Sequence, residues 1–204
     1  MKALARQLAH PRGLGGRFVA TMLNRANRTA VTRAVAALEP TPGDTLADLG
    51  FGGGVGLDLL LDAVGPSGHV VGVDVSKTVI DRAARTHRRE VANERLSLHL
   101  ASMTQLPLED EALDGALSVN TIYFIEELDR ALAELGRVTK PAGRIVIGLG
   151  DPDAMAREPV TRHGFQLRPV AEVLTLAGDV GLTFDQHLRV GGGEGAMHLL
   201  VLRS

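Results

Sequence analysis

Cysteine is absent from the chain, which excludes disulfides, thiolate metal sites, iron–sulfur ligation and thiol nucleophiles. Tryptophan is absent too. Aromatic residues amount to 3%, with a single tyrosine at position 123, so the ring platforms on which nucleic-acid bases stack have few contributors. No apolar run approaches the roughly 18 residues of a membrane-crossing helix. No secretory segment with an apolar centre opens the sequence, and a cytoplasmic location is the expectation. The net charge of −2 is too small for generic polyanion binding. What remains is the composition of a single folded domain: 204 residues, 45% hydrophobic and 23% charged.

The charge is unevenly spread. Lys2, Arg6, Arg12, Arg17, Arg25, Arg28 and Arg33 precede the first acid, Glu39, which leaves the rest of the chain acidic. An organelle transit peptide has a similar start. Phe18, Met22, Val31, Val35 and Leu38 nevertheless recur at helical spacing. Residues 1–40 are therefore read as a helical cap on the domain, with Arg12, Gly13, Gly16 and Arg17 at the entry of a lid.

From residue 45 short apolar runs alternate with helical patterns. TLADL (45–49), HVVGV (69–73), LSLHL (96–100), GALSV (115–119) and RIVIGL (144–149) read as strands. Helices are predicted from Val55 to Val64, after Asp74, from about Leu128 to Val138 (closed by a turn at Pro141-Ala142-Gly143) and around Val170 to Ala177. Residues 150–162, rich in proline and charge, read as an irregular substrate-side loop. Alternation of this kind predicts a parallel sheet of right-handed βαβ units with helices on both faces. LTFDQHLRV (182–190) and AMHLLVL (196–202) are separated only by GGGEG. That is too short for a crossover, so the sheet should end in an antiparallel hairpin.

The strongest local signal is Asp48-Leu49-Gly50-Phe51-Gly52-Gly53-Gly54 at the end of the first strand. Glycines let the backbone approach a ligand and adopt positive φ, and the next helix aims its free N–H groups at the same place. Asp48 can accept from an ammonium group. The turn thus suits a ligand with a polar, partly cationic end. Asp74, at the tip of the second strand, occupies the place where an acid accepts from nucleoside ribose hydroxyls. A dinucleotide fingerprint would need a glycine where Val55 or Leu57 stands. Each residue also has a bland reading: a tight turn, a helix-end acid, and for Asp74 a cap on the helix near Ser76.

The acid-x-Gly-x-Gly-x-Gly run resembles the first motif of the class I S-adenosylmethionine-dependent methyltransferases, in particular the small-molecule, type 11-like subgroup. VVGVDVS (70–76), Leu106-Pro107 with Asp114, and ELGRVTKPAGRIVI (134–147) are similar in order to that family's further motifs. The resemblance implies a Rossmann-like α/β fold and S-adenosyl-L-methionine as cofactor. It places Asp48, Gly50, Gly52 and Gly54 at the methionine end, Asp74 on the ribose, Val75 against adenine and Asn120 beside the methionine moiety. Ala101-Ser102-Met103 stands where the family often has Gly-Asp-Ala, so Ser102 offers adenine an uncharged hydroxyl.

Methyl transfer from a sulfonium needs alignment in a dry pocket more than a dedicated nucleophile; a base helps when the acceptor is a hydroxyl or protonated amine. Tyr123 and His163 are the catalytic candidates, with His187 better read as a sheet residue. Asn120-Thr121-Ile122-Tyr123 resembles the Asn-Pro-Pro-Tyr element of enzymes acting on exocyclic amines but lacks both prolines. Asp151 and Asp153 read as an Asp-Pro turn, and no metal is expected. A small organic acceptor is favoured over nucleic acid, and a homodimer is left open. The competing readings are a repurposed cofactor-binding protein of the same fold (a cyclase or a regulatory module) and a nicotinamide-dependent oxidoreductase. One domain is expected, with a cap (1–40), a cofactor-binding core (41–150) and a substrate-side loop, helix and hairpin (151–204).

Overall fold

The computed structural model describes residues 28–162, 164–192 and 196–204. Phe18, Met22, Arg12 and Arg17 of the expected cap, and the centre of the GGGEG turn, lie outside them. The described chain starts in helix, α1 (28–37). Then follow β1 (Thr45–Leu49), α2 (Val55–Val64), β2 (His69–Asp74), α3 (Lys77–Thr86), α4 (Arg88–Ala92) and β3 (Leu96–Leu100). The second half holds β4 (Leu113–Val119), α5 (Leu128–Val138), β5 (Thr139–Gly150), α6 (Pro152–Arg157), α7 (Val170–Asp179), β6 (Thr183–Val190) and β7 (Met197–Arg203). Single 3-10 turns at Ile122–Phe124 and Pro159–Arg162 complete it.

The strands form one seven-stranded sheet in the order β3-β2-β1-β4-β5-β7-β6. β1 to β5 run parallel, and β7 is antiparallel to both β5 and β6. Strands covered on both faces read as near-continuous apolar runs, and β7 (MHLLVLR), between β5 and β6, is one of these. Period-2 alternation divides each strand between two cores. Leu46, Val70, Leu117 and Val146 face one, with α1, α2 and α3; Ala47, Val71, Ala116 and Ile145 face the other, with α5 and α7. In α5, Leu128, Ala131, Leu132, Leu135 and Val138 are buried, the i, i+3, i+4, i+7 stripe of a helix packed on a sheet.

Two expectations are corrected. Pro141-Ala142-Gly143 does not separate helix from strand: β5 starts directly after Val138, and the segment bulges out of the strand. Leu113 pairs with Thr139 while Gly115 already pairs with Arg144, and Ala142 takes up the excess chain at φ 64°. Residues 150–162 are likewise not irregular. Asp151 accepts from the Ala154 N–H at 2.9 Å, and Pro152 opens α6, so the Asp-Pro pair starts a helix.

Chain order along the sheet reverses between β1 and β4. In open α/β sheets the crevice outside the carboxyl ends of the strands at such a reversal is where ligands bind.

Candidate functional site

A cleft of about 620 Å³ opens at this reversal. Gly50, Gly52 and Gly54 have φ of 76°, 48° and 90°, so the turn after β1 needs residues without a Cβ penalty. Gly50 faces the Thr121 side chain across the reversal point, where Thr121 Oγ1 donates to the Gly50 carbonyl at 3.3 Å. Two further bonds hold the turn. The Gly52 N–H donates to Asp74 Oδ2 at 3.1 Å, and the Arg82 guanidinium donates to the Gly52 carbonyl at 2.6 Å. Asp74 Oδ1 also accepts from the Ser76 N–H at 2.8 Å. The helix-start and ligand-side readings of Asp74 are therefore compatible, because a carboxylate oxygen with one bond retains a second lone pair.

Asp48 is 4% exposed and faces the cleft. Among the described residues no hydrogen-bond donor reaches its carboxylate. Burial, and secondarily the Asp74 charge, push its pKa up from 3.8 to about 8. A cation arriving in the cleft would favour the carboxylate and offset both influences.

The structure brings Asp48, Gly50, Gly52, Asp74, Val75, Ser102, Met103, Asn120 and Tyr123 to the lining of this one cleft. Val75 presents an apolar side chain 47% exposed. Ser102 pairs with Thr104 Oγ1 at 2.8 Å and accepts from the Thr104 N–H at 3.2 Å, so part of its capacity is already used. Met103 is buried, with the Ser118 hydroxyl 3.6 Å from its sulfur. Asn120 adopts φ 59°. Gly54 is not part of the lining: it is the left-handed residue at the start of α2, so its part is conformational. His163 lies outside the described residues. His187 packs in β6 with its Nε2 2.8 Å from His198 Nδ1, a sheet residue as read.

Tyr123 is 3% exposed. Its hydroxyl donates to Asn120 Oδ1 at 3.1 Å and accepts from the Gly150 N–H. Burial holds the phenol well above its ordinary pKa, so near neutral pH it remains protonated. The structure places it in the wall of the cleft with its hydroxyl engaged by both partners.

Sequence reasoning missed several lining residues: Phe51, inside the glycine run itself, and Thr121, Phe124, Met155, Glu158 and Phe165. The HGF triplet at 163–165 was the available signal for Phe165. Nothing local pointed to Arg82.

Residues 47–147 match the family described as a methyltransferase domain. An O-methyltransferase of Pyrenophora dematioidea is 31% identical over 183 residues, which is 78% of this chain and 68% of that protein. The chain belongs to the class I S-adenosylmethionine-dependent methyltransferases. An arsenite methyltransferase of Halobacterium salinarum is 34% identical over 115 residues, 56% of this chain and 29% of that one. The chain spans between 20% and 38% of the length of three of its curated relatives. A crystal structure of an S-adenosylmethionine-dependent methyltransferase from Aquifex aeolicus superposes with a TM-score of 0.75 at 19% identity, over 100% of this chain and 99% of that one. That likeness carries the fold, including the C-terminal hairpin. No helix of the described residues is long and apolar enough to cross a membrane.

Proposed function

We propose that this methyltransferase moves a methyl group from S-adenosylmethionine to a small organic acceptor. The observation that carries the reading is Asp48: a buried carboxyl without a hydrogen-bond donor among the described residues, facing the cleft beside a glycine turn. A buried ionisable group costs free energy unless a partner arrives, and a cationic amino-acid end is a fitting partner. The donor, when bound, supplies an electrophilic methyl group on a sulfonium.

The chain's own residues then have definable tasks. Asp48 accepts from the ammonium end, and the turn at Gly50 and Gly52 brings backbone close to it. Asp74 accepts from two neighbouring hydroxyls, with Val75 and Met103 as apolar cover. Asn120 and Tyr123 brace the turn after β4, and the apolar walls exclude water from the displacement. Orientation in such a cleft supplies much of the acceleration of a reaction whose leaving group is already good.

The acidic lining also supports a small acceptor over a phosphodiester. S-adenosylhomocysteine should raise the Tm, because ligand binding to the native state stabilises it. Label from the donor methyl should appear in one product of a metabolite extract. No thermal shift at saturating ligand overturns the assignment. Tight binding with no labelled product in any extract turns the reading towards a repurposed cofactor-binding protein.

A further inference from the structure

Phe51, Tyr123, Phe124 and Phe165 all line the cleft, four of the chain's six aromatic residues. Tyr123, Phe124 and Phe165 form one cluster: Phe124 and Phe165 have centroids 4.8 Å apart at 62°, Tyr123 and Phe165 5.9 Å at 33°, and Tyr123 and Phe124 6.3 Å at 89°. Ile125 and Met155 extend the apolar wall.

Every charged side chain among the described lining residues is an acid: Asp48, Asp74, Glu126, Glu127 and Glu158. Glu127 has Arg130 at 4.0 Å, whereas Glu126 and Glu158 have no ion-pair partner among the described residues. Arg168, three residues after Phe165, is committed to other partners. Arg168 donates to the Ile122 and Glu126 carbonyls at 3.5 and 2.9 Å and pairs with Glu172 at 3.5 Å. Two hydroxyls beside this wall are committed. The Thr161 hydroxyl lies 2.7 and 2.8 Å from the Met155 and Glu158 carbonyls, and the Tyr123 hydroxyl holds Asn120 and Gly150. On the floor, buried Asp48 continues the same sign of charge without a donor of its own.

Aromatic faces and carboxylates both attract an ammonium group and both repel an anion. We propose that the acceptor taken by this cleft is an amphipathic amine: an apolar or aromatic body against Tyr123, Phe124 and Phe165, with its nitrogen bound as the ammonium towards Glu126 and Glu158. Where that nitrogen takes the methyl, it first gives its proton to a carboxylate or to water, and its lone pair then forms the N–C bond as the donor's C–S bond breaks. This rests on the methyltransferase reading and adds the acceptor's class to it. Acceptors carrying a carboxylate or phosphate meet no cation among the described lining residues and are selected against.

The test uses the full chain saturated with S-adenosylhomocysteine and four probes sharing one body: 2-phenylethylamine, 2-phenylethanol, 3-phenylpropionate and 2-phenylethyl phosphate. Equilibrium binding, by calorimetry or ligand-observed NMR, should favour the amine over the alcohol about tenfold, with the two anions weakest. The double variant Glu126→Gln/Glu158→Gln should lose that preference while binding the alcohol as before; its S-adenosylhomocysteine titration reports that it is folded. An anion binding as well as the amine, a preference that survives in the double variant, or no amine binding at millimolar concentration overturns the proposal. Failure of S-adenosylhomocysteine itself to bind would instead overturn the methyltransferase reading beneath it.

Discussion

The Cα of Gly56 lies directly beneath the carboxylate of Asp48, so that a methyl group at position 56 would overlap Oδ2. Gly56 sits in the first turn of α2, not among the positive-φ residues, so what it provides is room. Gly56→Ala should push the Asp48 side chain out of place. Overpacking at such a site costs about 1–3 kcal/mol, and S-adenosylhomocysteine affinity should fall about tenfold or more. Calorimetry on the variant, alongside its thermal melt, measures both, and wild-type affinity would separate Asp48 from the ligand.

Asp48 should also write a pH dependence into the empty protein. Its carboxyl has a pKa of about 8 in the fold against 3.8 as a free side chain, because of burial first and Asp74 second. Between those values the folded state holds a proton that the unfolded state has released. Its contribution to stability is therefore complete below 3.8 and is lost as pH rises through about 8. Asp48→Asn should flatten this slope in chemical denaturation across the window. In the wild type, a cationic ligand favours the carboxylate, so binding below about pH 8 should release a proton and affinity should drop as the solution is acidified. Calorimetry in buffers of different ionisation enthalpy counts that proton; a count of zero at pH 6 would contradict the coupling.

Arg82 holds the Gly52 carbonyl at 2.6 Å from α3, opposite the face that Asp74 holds through the Gly52 N–H. Arg82→Ala removes one of these two constraints on the turn. A hydrogen bond to a charged group contributes about 1.5–3 kcal/mol, and much of this should surface as weaker cofactor binding with an unchanged acceptor KM. An equal loss in both KM values would mean that the effect is not local to the turn.

Tyr123→Phe leaves the Gly150 N–H and the Asn120 side chain without their shared partner. The loss of stability should be about 1–3 kcal/mol, read from the shift in denaturation midpoint. The shape of the pH–rate profile should be unaltered, since burial keeps the phenol protonated. Disappearance of a basic limb in the variant would identify Tyr123 as a proton acceptor.

Much of this was legible in the chain itself, where the physical signal is local. Apolar runs at 45–49 and 69–73 announce buried strands because a strand covered on both faces leaves few polar positions. The GGGEG link at 191–195 dictates an antiparallel pair because five residues cannot cross a sheet. The acid and glycines from Asp48 to Gly54 mark the turn because only glycine accepts those φ values without strain. The errors were local as well. Asp151-Pro152 suits a turn and a helix start equally, and the choice went to the helix through one hydrogen bond to Ala154.

Sequence by itself thus determined the strand content, the hairpin, the glycine turn and the family. Tertiary structure alone decided that Asp48 is buried over Gly56, that Arg82 reaches back to Gly52, that the Tyr123 hydroxyl is spent on Asn120 and Gly150, and that Phe165 meets Tyr123 and Phe124. Backbone pattern is set by each residue's neighbours in the chain. Burial, side-chain direction and pKa are set by whichever residues the packed sheet brings alongside.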